Sequence, residues 1–111
     1  MKQQDIKLEG ERRFTKLEAS IQAEAVYRIR ARFTRDSTEM LDIRMKHGLA
    51  GYAVAVMLLE KIAESHNREV ERNYDALGFE FRADAAIIKK VVEDNTLFQI
   101  SANGKITIKG Q

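Results

Sequence analysis

Between Ala25 and Arg35 the chain carries four arginines, Arg28, Arg30, Arg32 and Arg35, and no acidic residue. A guanidinium offers a planar fork of donors that matches two phosphate oxygens at once, so this cluster is the clearest chemical signal in the sequence. The chemistry it suggests is anion contact rather than bond breaking. The competing reading is a solvated face whose charges pair with Glu18, Glu24, Asp36 or Asp42. Further along, Lys89 and Lys90 stand together on a short segment with an apolar stripe, and Lys105 and Lys109 follow an Asn-Gly pair. All four could hold phosphate, although Glu93 and Asp94 oppose the Lys89–Lys90 pair.

Residues for catalysis do not assemble. With no Cys there is no thiolate zinc site, iron–sulfur ligand set, disulfide or cysteine nucleophile. His47 precedes Gly48 at the end of a helical stretch, where a cation suits the helix dipole. His66 lies near Glu64 and Glu69 but without metal-ligand spacing. Tyr27, Tyr52 and Tyr74 read as core or core-rim aromatics, and Met40, Met45 and Met57 as core filler. No Ser–His–Asp set, phosphate-cradling glycine loop or catalytic carboxylate pair stands at a suggestive spacing. The expectation is a protein that is not an enzyme and needs neither metal nor cofactor.

The elements that must position these cations fit one domain. The chain has 111 residues, 44% of them hydrophobic and 32% charged, which excludes a disordered polyelectrolyte and suits a single globular core. Nineteen Lys and Arg against seventeen Asp and Glu leave a net charge of +2, too small to diagnose a nucleic-acid partner by itself. The apolar-rich stretch from Leu49 to Leu59 is far shorter than the roughly 20 residues that span a bilayer. No signal-peptide pattern opens the chain, so no membrane partner and a cytoplasmic location are expected.

Residues 1–32 read as an N-terminal extension: a polar arm, then a helix with Phe14, Leu17, Ile21 and Ala25 on one stripe. From Val26 to Phe33 arginines alternate with Ile29, Ala31 and Phe33, and this two-residue period predicts a strand. Residues 33–111 read as the main domain. Asp36-Ser37-Thr38-Glu39 resembles a capping box opening a helix that Gly48 closes. The next helix, about Ala50 to Ser65, is apolar on nearly every face and so predicts the buried centre of the core. Glu69-Val70-Glu71 follows as a short edge strand. Tyr74, Leu77, Gly78 and Phe81 mark one short helix, and Asp84 caps another running to about Asp94, a helix-turn-helix arrangement. The tail predicts a hairpin. A three-residue Ala102-Asn103-Gly104 loop pairs Ile100 with Ile106 and Phe98 with Ile108, whereas a two-residue loop would put those side chains on opposite faces.

The order helix, buried helix, short strand, helix-turn-helix and terminal hairpin is that of an α+β winged helix. The residues His47-Gly48-Leu49-Ala50-Gly51-Tyr52, Leu58-Leu59-Glu60, Ile62-Ala63-Glu64 and Asp75-Ala76-Leu77-Gly78-Phe79 resemble the N-terminal winged-helix domain of DnaD-like and phage replisome-organiser replication proteins. The likeness covers residues 33–109 and implies a replication-associated role in a phage or mobile element, through DNA and self-association. The expected function is therefore non-catalytic nucleic-acid binding with weak sequence preference. Arg28, Arg30, Arg32, Arg35, Lys89, Lys90 and Lys105 are its candidate contacts. The alternative is a protein-interaction or oligomerisation module, or a small phage inhibitor of a host protein. An extension striped with Phe14, Leu17 and Ile21 further predicts a two-fold homodimer.

Overall fold

A computed structural model describes residues 19–110. Among them the chain forms four helices and a three-stranded antiparallel sheet, an α+β arrangement. Helix α1 covers residues 19–32 of the described part. Helix α2 runs Thr38–Glu64, β1 is Val70–Glu71, α3 is Tyr74–Phe81, α4 is Ala85–Glu93, β2 is Phe98–Ile100 and β3 is Lys105–Ile108.

The strand expected over 26–33 is a helix. Ile21, Ala25, Ile29 and Phe33 recur every four residues, and Ile29 and Phe33 are buried in the main core. Ala31, which a strand would bury beside them, is exposed. The phenylalanine and leucine expected to extend this stripe, Phe14 and Leu17, lie outside the described residues.

Helix α2 begins at Ser37, whose side chain accepts from the Met40 amide, one residue later than an Asp36 cap would place it. Gly48 interrupts it with φ +70° and ψ −166°, a conformation open essentially to glycine alone. The break folds His47 onto the next turn, and a Cβ on Gly51 would lie 2.2 Å from the His47 Cβ. Glycine at 51 is thus required by close approach, and glycine at 48 by backbone geometry. Beyond the break, Val54, Ala55, Leu58, Leu59, Ile62 and Ala63 are buried, and with Met40 and Ile43 they form the centre of the core. Two expected core residues are not there: Met45 is 85% exposed, and Tyr27 points to solvent.

The sheet has the order β1–β3–β2, with β1 at one edge. The hairpin adopts the expected register, Ile100 opposite Ile106 and Phe98 opposite Ile108, with Gly104 at φ +78° in the loop. Phe98, Ile106 and Ile108 turn inward against Ile88, Val91 and Val92 of α4 and the α2 residues. Val70 of β1 joins the same core opposite Ile106.

Candidate nucleic-acid interface

Helices α3 and α4 are joined by a tight turn whose parts are specified locally. Asn73 caps α3 through a 3.0 Å bond from the Ala76 amide to its Oδ1. Arg82 ends α3 in the left-handed conformation with φ +55°, and Asp84 caps α4 through a 2.9 Å bond from the Ala86 amide. The buried stripe Ile88, Val91 and Val92 faces the core, which leaves Ala86, Lys89, Lys90 and Glu93 exposed. No Arg, Asn or Gln stands in the first turn of α4, so base-edge donors are absent there.

The far end of α4 is anchored by a polar network to the first half of α2. His47 Nε2 lies 2.5 Å from Asp94 Oδ2, with the two side chains only 13% and 16% exposed. The Thr96 hydroxyl donates to Asp42 at 2.8 Å, the Lys46 ammonium meets the same carboxylate at 2.8 Å, and the Thr96 amide donates to Asp94 Oδ1. These bonds hold the Asp42 carboxyl below its usual range, chiefly through Lys46 and then Thr96, and hold the Lys46 ammonium above its own. Tyr74 ties the opposite flank to α4 by donating to Glu93 at 2.7 Å, and burial followed by that bond pushes its phenol up to about 12. The sequence expectation for His47 went no further than a helix-end cation. Its partner lies 47 residues away and gave no local signal.

The candidate cations do not form one surface. Arg28 and Arg32 lie one turn apart on the same side of α1, whereas Arg30 projects from a different side and is half-buried, with Nη1 donating to the Phe33 carbonyl at 3.4 Å. Arg28 is bridged to Glu24 at 2.6 Å, and the Arg32 guanidinium sits 4.9 Å from the centre of the Phe33 ring. Arg35 lies past the end of α1 and pairs with Asp36 at 3.4 Å. Lys105 of β3 is drawn to Glu71 across the sheet, and Lys109 donates to the Asn95 carbonyl at 3.0 Å.

Chain matches are absent: no family model, curated protein or solved structure corresponds to this sequence.

Two arginines outside the sequence-derived set take up positions of interest. Arg72 borders a cleft of about 540 Å³ between the start of α3 and the start of α4, together with Lys89, Ala85 and Ala86 and with the carboxylates of Glu71 and Asp75. Arg68 follows α2 and reaches back toward it. Both sit among acids in the sequence, Glu69 and Glu71, so neither belongs to a basic run that composition could single out. Among the described residues no group of three or more His, Asp or Glu could hold a metal ion, and no helix is long and apolar enough to cross a membrane.

Proposed function

We propose that the chain is a winged-helix, nucleic-acid-binding accessory protein of the phage or mobile-element replication type, without catalytic activity, that contacts phosphates with weak sequence preference. The observation that carries this reading is the α3–turn–α4 pair followed directly by the β2–β3 hairpin. The exposed first half of α4 is bordered by Lys89 and Arg72. In this arrangement α4 faces the groove and the hairpin is the wing. The alanines in the first turn of α4 make it a poor reader of base edges, and the phosphate contacts fall to Arg72, Lys89 and Lys90, with Arg28 and Arg32 on α1. Lys105, Arg35 and Arg28 contribute less, because Glu71, Asp36 and Glu24 already hold them.

The test is a titration of duplex and single-stranded DNA at several salt concentrations. Five phosphate contacts set a ceiling of about −5 on the slope of log K against log salt, and unrelated sequences should bind about equally. Arg72→Glu with Lys89→Glu should weaken binding to all of them and flatten the slope by about two units. Absence of salt-sensitive binding to either form at low salt would overturn the proposal.

A second reading has its own support. Leu49, 77% exposed, and Met45 lie on either side of Gly48, and Phe79 is exposed on α3, so three large apolar side chains face solvent. A protein-interaction module, either a two-fold homodimer or a phage inhibitor seated on a host protein, would use them. Light scattering reads the homodimer directly, and Met45→Lys with Leu49→Lys should return a dimer built on these residues to monomer mass.

A further inference from the structure

Beside α1, a cleft of about 390 Å³ opens between the helix and the turn that follows α2. Its floor is apolar, formed by Ala25, Ile29 and Ile21, and its walls carry three guanidinium groups, Arg28, Arg32 and Arg68, against one carboxylate, Glu24. Like charges converging on one cleft repel each other, and the cleft contains a single counter-charge among the described residues. Each guanidinium nevertheless has a partner. Arg28 is paired with Glu24 in an exposed bridge, and Arg32 lies against the Phe33 ring. Arg68 is fixed most firmly: its Nη1 donates to the Ala63 carbonyl at 2.5 Å and to the Ser65 carbonyl at 2.8 Å. The Arg68 backbone is left-handed, with φ +57°, a conformation that non-glycine residues adopt infrequently. Among the described residues its Nη2 and Nε bond to nothing further, so one edge of a positioned fork is open to a ligand.

We propose that this cleft is a phosphate-ester site, distinct from the α4 face, that takes a nucleotide with its phosphate between Arg28, Arg32 and Arg68 and its base over Ala25 and Ile29. The volume lies within the range of about 300–1,000 Å³ of small-molecule sites, and an apolar floor beside a few fixed polar groups is their usual construction. Arginine suits this ligand better than lysine would, because the forks bind phosphate oxygens in pairs and lose little freedom in doing so. Glu24 is the negative element of the site. The incoming phosphate must share Arg28 with it, so the carboxylate weakens binding and limits the cleft to ligands that bring at least one full negative charge. For the source of the phosphate, free nucleotide or nucleic acid, the proposal rests on the nucleic-acid reading. For the existence of the site it does not.

The experiment uses the full chain and three probes: adenosine monophosphate, and an oligothymidylate of about 12 nucleotides with either a 5′-phosphate or a 5′-hydroxyl. Binding is read by calorimetry and by the arginine side-chain N–H resonances. Arg28→Ala with Arg32→Ala should weaken the nucleotide at least about tenfold, the size expected for losing charge-assisted bonds. Glu24→Gln removes the competitor and should tighten binding about two- to fivefold, a gain that no loss of folding can imitate. Arg68→Lys, which keeps the charge and loses the fork, should fall between wild type and the double variant. Tighter binding of the 5′-phosphorylated oligonucleotide identifies a strand end as the ligand. Equal binding of both oligonucleotides, weakened by the same variants, identifies internal phosphates. The site is refuted if the nucleotide fails to bind, or if it binds and Glu24→Gln and the arginine variants leave its affinity unchanged. DNA binding that depends on Arg72 and Lys89 alone, beside nucleotide binding that depends on the cleft, would leave the α4 reading intact and assign the cleft to free nucleotide. DNA binding lost only with the cleft variants would support the cleft and overturn the α4 reading.

Discussion

Replacing Gly51 by alanine is a sharp test of the break in α2, because two effects of similar size oppose each other there. Glycine inside a helix is about 1 kcal/mol worse than alanine, so a regular helix across this region would be stabilised by the substitution. In a regular helix the Cβ atoms of residues four apart stand about 5–6 Å from each other. Here the new Cβ would meet the His47 Cβ at 2.2 Å and the Val91 side chain at 3.5 Å. The His47 atom is the root of its side chain, so no rotamer change moves it away. The backbone must shift, and that strains the His47–Asp94 bond and the packing of α4 on α2. Overpacking of a core costs about 1–3 kcal/mol, and a 2.2 Å approach to an atom that no rotamer can move belongs in the upper half of that range, so Gly51→Ala should destabilise by about 1–2 kcal/mol net. Urea unfolding followed by circular dichroism measures this as a lower midpoint at unchanged slope. Pairing it with His47→Gly removes the colliding atom, so the two changes together should cost less than the sum of each alone. A Gly51→Ala protein as stable as wild type, or more so, would mean that α2 is continuous and that the approach of residue 47 to residue 51 does not occur.

Leu58 and Leu59 are fully buried, and truncating either to alanine should cost about 2–5 kcal/mol in the same assay. Gly48→Ala should destabilise as well, by about 1–2 kcal/mol, since φ +70° is strained for any residue with a Cβ. The pH profile should show two edges. Asp42 has a folded value lowered from 3.8, so its contribution is present above that pH and disappears as pH falls through the lower folded value; Asp42→Asn should remove this acid-side component. Tyr74 has a folded value raised from 10.0 to about 12, so its contribution is present below pH 10 and is lost as pH rises toward 12; Tyr74→Phe should make the alkaline edge shallower and leave the part that comes from Lys46, itself raised from 10.5.

The sequence was most legible where a shift of one residue has a large physical consequence. In the hairpin, moving the register by one turns a whole strand face outward, so the placement of Phe98, Ile100, Ile106 and Ile108 left one solution. The second half of α2 was legible because its length of apolar residue leaves no polar face to expose. The α1 segment was ambiguous for an arithmetic reason. Ile29 and Phe33 are four residues apart, and a spacing of four satisfies both the strand period of 2.0 and, closely, the helix period of 3.6. Only Ala31 separates the two, and alanine is small enough to sit on either side. The network of His47, Asp94, Asp42 and Thr96 was invisible because its partners are brought together by packing alone, with no spacing rule linking them. Met45 was misplaced because its apolar type was read as core, whereas it stands about 200° round the helix from the buried Ile43 and so faces solvent.

The pairing of the cations decides what kind of binding this fold can support. Glu24 holds Arg28, Asp36 holds Arg35 and Glu71 holds Lys105, so a phosphate approaching any of these must share or displace a carboxylate. Each exposed pair is worth at most about 1 kcal/mol, so exchange is feasible, but each exchange returns less than a contact from a free cation would. Of the described cations without such a partner, Lys89, Lys90 and Arg72 gather near α4 and Arg32 and Arg68 beside α1, while Arg30 and Lys109 are turned to carbonyls and Arg44 and Arg82 to aromatic rings. Two small groups are too few for tight nonspecific binding at physiological salt, where each phosphate contact loses strength as counterions compete. A single chain should bind weakly, and a second copy, or a partner that brings further cations, would multiply the effect through linked sites rather than through new contacts. The exposed Met45 and Leu49 line neither cation cleft, so a partner seated on them need not use the arginines or lysines as its contacts.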